Sequence, residues 1–197
     1  QPDITGMIGQ YAHGNEPSHN FTYLYNYAGR AFKTQNKIRQ IMDDLYSSAR
    51  NGLCGNEDCG QMSSWYVFSA MGFYPVTPGQ DIYALGTPIF EEVSLNLDKG
   101  NTFVIKATHA SSDNKYIQSA TLNNKDYSKS FIYHADIMKG GIIEFEMGSN
   151  PNIEWGFDSS DRPSSSIKKQ AVMNPTISAP SRAFLEEMAI NMNCGTP

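Results

Sequence analysis

The hydrophobic period of this chain changes at Pro75, and that change limits the fold more than any other feature. Up to that point apolar residues recur at three- and four-residue spacing, which predicts helices joined by polar loops. Phe21, Leu24, Tyr25 and Ala28 form one stripe, with Ser18 placed to cap its start and Gly29 to end it. A second helix has Thr34 as its cap, Ile38, Ile41, Met42 and Leu45 on one face, and Lys37, Arg39, Gln40, Asp43 and Asp44 on the other. A third runs from about Gln61 to Met71, turns Met62, Trp65 and Phe68 inward, and stops at Gly72. Beyond the Pro78-Gly79 turn, β-rich runs follow at 92–97, 102–107, 117–122, 131–133 and 142–147, separated by Gly-, Asn- and Ser-containing turns. Strands at this regular spacing predict a small antiparallel sandwich. The chain therefore reads as α+β: helices over 1–75, a β-rich segment over 76–158, and an irregular Ser/Pro-rich tail over 159–197 with a short helix over 181–191.

Composition narrows the partners. A net charge of −5 with scattered basic residues argues against a nucleic-acid surface or an anionic membrane. No stretch approaches the roughly 18 to 20 apolar residues that a membrane-spanning helix needs, and Gln1-Pro2-Asp3 lacks the features of a signal peptide. Aromatics at 12% suit a well-filled core or a sugar-binding cleft, since aromatic faces pack against the C–H faces of sugar rings. Cys54, Cys59 and Cys194 form no CxxC pair, which points to neither a zinc site nor a disulfide framework and leaves Cys54 and Cys59 as a candidate disulfide.

Two loops carry more polar chemistry than a core requires. Gly14-Asn15-Glu16-Pro17-Ser18-His19-Asn20 gathers groups able to bond, bind metal or titrate ahead of the first helix, although Asn, Glu and Ser there also suit plain capping. Gly52-Leu53-Cys54-Gly55-Asn56-Glu57-Asp58-Cys59-Gly60 places three oxygen-bearing side chains among glycines directly before a helix. Such a loop suits calcium or a water-activating base, and equally an ordinary acidic helix start. It lacks the EF-hand spacing.

Asn15-Glu16-Pro17-Ser18-His19, Tyr23-Leu24-Tyr25-Asn26-Tyr27-Ala28-Gly29, Lys33-Thr34-Gln35, Gly55-Asn56-Glu57-Asp58-Cys59-Gly60-Gln61-Met62-Ser63 and the run from Trp65-Tyr66-Val67-Phe68 to Pro75 together resemble glycoside hydrolase family 92. Weaker agreement continues through Gly86-Thr87-Pro88, Tyr116-Ile117-Gln118-Ser119-Ala120 and Met147-Gly148, so that the likeness covers roughly residues 5–158. The resemblance implies a calcium-dependent, inverting exo-α-mannosidase acting on terminal α-linked mannose of N-glycans or mannans, with α-1,2 linkage the expected preference. It implies helices from the end of an (α/α)6 barrel followed by the β-rich segment, and an extracytoplasmic location, secreted or periplasmic. Inversion needs two carboxyl groups about 6.5 to 9.5 Å apart. By similarity Asp58 is the general base, and the general acid lies upstream of Gln1, so that the chain alone is expected to be incomplete and inactive. Asn56 stands where some members carry a second aspartate. Asn15, Glu16, His19 and Asn56 are the implied contacts to the mannose, with His19 equally suited to orienting its loop, and Glu16 and Asn20 are the implied calcium ligands. Expected partners are a mannose-terminated glycan and, for the bare helical faces, the upstream part of the enzyme or another copy of the chain. The competing reading is a non-catalytic carbohydrate-binding or structural module derived from the same family.

Overall fold

The computed structural model describes residues 4–164; the helix expected over 181–191 and Cys194 lie outside them. A short hairpin, β1 (Met7–Ile8) and β2 (Tyr11–Ala12), leads into 3-10 turns at Glu16–Ser18 and Phe21–Tyr23 and a single helical turn, α1 (Leu24–Tyr27). Gly29, at φ 66°, ends that turn as expected. The face is the reverse of the expected one. Phe21 is 55% exposed, and Leu24 and Tyr25 also face outward, whereas Thr22, Tyr23 and Asn26 are buried. Polar atoms decide this: the Tyr23 hydroxyl bonds Ser69 Oγ at 2.8 Å, and the Asn26 amide donates to the carbonyls of Leu85 and Ser130, at 2.7 Å each.

Helix α2 (Ala31–Leu45) begins four residues earlier than the Thr34 cap predicts. Thr34 is inside it, its hydroxyl donating to the Thr22 carbonyl at 2.9 Å. Ile38, Ile41 and Met42 are buried as expected, but Arg39, expected on the polar face, is only 6% exposed. Its guanidinium is drawn in by oxygens of the β region, donating to the carbonyls of Ser111 and Pro88 and to Thr87 Oγ1. Helix α3 (Gln61–Met71) matches the expected span and ends at Gly72 (φ 99°), whose N–H bonds the carbonyls of Phe68 and Ser69. Trp65 is its fully buried anchor, packed in the helical core with Tyr23, Ile38, Ile41 and Tyr74.

The β region holds two sheets. The first consists of β3 (Phe73–Tyr74), β4 (Ile82–Leu85) and β9 (Phe131–Tyr133), in that order and antiparallel. The second contains β5 (Glu92–Asn96), β6 (Thr102–Thr108), β7 (Tyr116–Leu122), β8 (Lys125–Asp126) and β10 (Gly141–Gly148), ordered β5-β6-β10-β7-β8. The five expected strands are all present, with one departure from an antiparallel sandwich: β10 pairs parallel to β6. A short helix, α4 (His134–Met138), carries the chain from β9 toward β10. Alternation buries Phe103, Ile105 and Ala107 of β6 and Ile143, Phe145 and Met147 of β10 in a second core that also takes in Ala31, Phe73, Leu85 and Trp155. Trp155 thus lies in that core, its Nε1–H donating to the Tyr127 carbonyl. The helices meet this sheet through Gln35, whose Oε1 accepts the Ile117 N–H at 3.3 Å.

Candidate active site

The two polar loops read from the sequence meet, and glycines let them touch. A Cβ on Gly55 would sit 2.7 Å from the Cα of Gly14, so that the loops approach backbone to backbone. That contact places the segment from Asn15 beside the one from Asn56. Glu16, Asn56 and Asp58 are exposed, and Asn15 is half-buried.

Glu16 and Asp58 meet across this seam. The Glu16 carboxyl is held below its usual range, first by a hydrogen bond from its own backbone N–H, then by one with the Asp58 side chain, with His19 adding to the effect. Asp58 and Cys59 take φ values of 46° and 58°, and Gly60 follows at 90°, a left-handed run that L residues adopt only under strain. Glu57 bonds the start of α3. Its carboxylate accepts from the backbone N–H and the hydroxyl of Ser63, at 3.0 and 2.8 Å, and so secures the first turn of α3.

Behind the exposed carboxyls lies a buried polar cluster. His19 is 1% exposed, with both ring nitrogens engaged: Nε2–H donates to the His13 carbonyl at 2.9 Å, and Nδ1 accepts from the Gln61 amide at 3.1 Å. The other amide hydrogen of Gln61 reaches the Tyr74 hydroxyl at 3.3 Å. Trp65 Nε1–H donates to the His19 carbonyl at 2.9 Å. His13, fully buried, accepts from the Tyr11 hydroxyl at Nδ1 (2.7 Å) and donates from Nε2 to the Tyr46 hydroxyl (2.6 Å), which in turn donates to the Met62 carbonyl. Burial pushes the His13 ring down to about 3, with the neighbouring His19 adding to the shift, and burial lowers His19 too. Both rings are thus neutral at pH 7.

Asn20, half-buried at the end of the first loop, keeps its Oδ1 buried without a hydrogen-bond partner among the described residues. A bare amide oxygen is a ligand type that a hard cation accepts. The described residues nevertheless contain no group of three or more His, Cys, Asp or Glu side chains able to hold a metal by themselves. Cys54 and Cys59 are free thiols, the first half-buried and the second exposed, so the candidate disulfide is not formed. His109 pairs with Glu146 on the far sheet, and His134 bonds the Tyr83 hydroxyl. Sequence reasoning missed Tyr11, Tyr46, Tyr74 and the bridging position of Gln61 between His19 and Tyr74. Gln61 stands inside a recognised motif but reads there only as the first residue of a helix.

The sequence profile of the glycosyl hydrolase family 92 catalytic domain matches residues 1–149. A secreted glycosidase of Arthroderma benhamiae is 37% identical over 155 residues, which are 77% of this chain and 20% of that protein. Among solved structures, the inverting mannosidase BT2199 of Bacteroides thetaiotaomicron superposes with a TM-score of 0.75 at 46% identity, covering 79% of this chain and 21% of that one. The α-mannosidase BT3965 of the same organism, solved with mannoimidazole, gives 0.80 at 37% identity, covering 96% and 24%. The chain spans between a fifth and a quarter of the length of these relatives. By the extent of the profile match and the identity to these structures, the chain belongs to glycosyl hydrolase family 92.

Proposed function

We propose that this chain is part of an exo-α-mannosidase that hydrolyses terminal α-linked mannose, α-1,2-linked in the first instance, with inversion at the anomeric carbon. The observation that carries the proposal is the exposed Glu16–Asp58 pair, assembled from two loops over a strained backbone at Asp58. Asp58 acts as the general base, taking a proton from the water that attacks C1. Glu16 does not serve as the acid. An inverting pair needs about 6.5 to 9.5 Å between carboxyl groups to admit water, and Glu16 is within hydrogen-bonding reach of Asp58. The acid therefore comes from another part of the whole enzyme, and Glu16, Asn15 and Asn56 are left to bind the sugar. Glu16 and Asn20 are the residues that would hold calcium, in keeping with the unpartnered Asn20 Oδ1. When bound, calcium would polarise vicinal hydroxyls of the mannose and favour its distorted ring. The mannosidase names of the solved relatives support this substrate class, and the secreted relative supports an extracytoplasmic site of action. No helix among the described residues is long and apolar enough to cross a membrane.

The test is hydrolysis of α-1,2-mannobiose by the intact protein, followed by NMR for the anomer first released, with Asp58→Ala and a chelator as separate arms. Removal of a general base should lower turnover by about 10²- to 10⁴-fold. Undiminished turnover in Asp58→Ala refutes the base assignment, a first-formed α-anomer refutes inversion, and indifference to chelator refutes calcium.

A further inference from the structure

Glu16 and Asp58 come from different loops, so their spacing depends on whatever ties both loops to a common support. That support is α3. Asp58 lies three residues before its first residue, and the Gln61 N–H bonds the Asp58 carbonyl at 3.2 Å. Among the described residues, the hydrogen bonds from the Glu16 loop to the same helix all run through one residue, His19. Gln61 and Trp65, one turn apart on one face of α3, each bond it: the Gln61 amide at ring Nδ1, the Trp65 indole at the backbone carbonyl. On the opposite side, His19 Nε2–H donates to the His13 carbonyl, and His13 is held between the hydroxyls of Tyr11 and Tyr46.

This arrangement uses the full bonding capacity of the ring. A neutral imidazole has one donor and one acceptor, and here both point into the protein. Nothing on the 1%-exposed ring remains to contact a sugar hydroxyl.

We propose that His19 is a positioning residue, not a sugar ligand: as the Nε2–H tautomer it bridges the His13 carbonyl to Gln61 and so fixes the Glu16 loop against the start of α3 at the distance the Glu16–Asp58 pair requires. The proposal rests on Asp58 being the base. It extends that reading by naming Gln61 and His19 as one strut, whose bond joins the ring to the helix and is lost when either is replaced. A replacement for His19 must offer a donor and an acceptor a few ångströms apart, which glutamine does and alanine does not.

A double-mutant cycle in the intact protein tests this, with 4-nitrophenyl α-mannoside as the probe and His19→Ala, Gln61→Met, the pair, and His19→Gln as variants. Displacement of a catalytic group by about 1 Å lowers turnover on the order of 100-fold. Each single variant should therefore lower kcat by about that factor with KM nearly unchanged, and the pair by no more than the worse single. His19→Gln should recover most of kcat. A raised KM with kcat preserved in His19→Ala, or effects that multiply in the pair, overturns the proposal. Failure of the unsubstituted protein to cleave the probe refutes the mannosidase reading instead. The strut is then decided by melting temperature: a shift in the pair equal to the larger single shift supports it, and a shift equal to their sum overturns it.

Discussion

Replacing Asn26 should destabilise the protein by an amount that follows from its bonds. Its amide donates two hydrogen bonds of 2.7 Å to the carbonyls of Leu85 and Ser130, and so joins α1 to β4 and to the residue before β9. In Asn26→Ala both bonds are lost, about 1 kcal/mol each for a buried site. The Ser130 carbonyl keeps a second donor, the Leu85 N–H at 2.9 Å, which limits the loss there. Removal of the amide leaves a small void, worth about 1 kcal/mol. Against this, Asn26 Oδ1 is itself buried without a hydrogen-bond partner among the described residues, and its removal returns about 1 kcal/mol. The net is about 2 kcal/mol. With a urea m-value of about 2 kcal/mol/M, the unfolding midpoint should fall by about 1 M at unchanged slope. Asn26→Asp separates hydrogen bonding from volume. It leaves no void, but at pH 7.5 it sets a carboxylate against two carbonyls, so its midpoint should fall further than that of Asn26→Ala. An Asp variant as stable as the Ala variant, or an Ala variant within about 0.3 M of the parent, refutes the reasoning.

Four further outcomes are expected. His13 has a folded-state value near 3 against 6.5 when unfolded, so the unfolded chain binds the extra proton; its contribution is complete above pH 6.5 and is lost as pH falls toward 3, by at most about 1.4 kcal/mol per pH unit. Urea midpoints at pH 7.5 and 5 should show this slope in the parent and a smaller one in His13→Gln, where the lowered His19 remains. Gly55→Ala should push the Asp58 loop off Gly14, lowering both melting temperature and turnover, since backbone stands in the way of the added methyl. Arg39→Met should cost about 2 to 4 kcal/mol by leaving the Ser111 and Pro88 carbonyls and the Thr87 hydroxyl short of a donor, measured by urea unfolding. Maleimide should label Cys59 well before Cys54, which is half-buried and whose thiol burial pushes up; peptide mapping of a timed reaction checks this.

Periodicity was a sound guide where a side chain's job is only to be apolar. Helix α3 and the strands β5, β6, β7, β9 and β10 match their expected runs to within a residue or so, because alternation and three-four spacing report burial directly. It failed where polar groups set the orientation. The segment Phe21–Tyr27 turns Tyr23 and Asn26 inward because their hydrogen-bond partners lie there, and Arg39 is buried for the same reason. The parallel partnership of β6 and β10 was equally out of reach, since spacing along the chain carries no record of which strand lies next to which. At the site, the two loops were legible as oxygen-rich segments. Their contact was not, because Gly14 and Gly55 reveal a close approach only once both backbones are in place.

The place of β10 between β6 and β7 has a bearing on how the sheet is made. Hairpins can form as soon as their second strand exists, but β10 comes last of the five and enters the middle. Until it arrives, β6 and β7 each present a row of unpaired backbone groups, and β6 can be completed only by a strand that has crossed over through β9 and α4. Those open edges are templates for pairing with other chains. Strand closure across this sequence distance is slow compared with local pairing. The step most exposed to aggregation during folding is therefore the wait for residues 141–148, and slow refolding with loss to precipitate at high protein concentration is the behaviour this topology dictates.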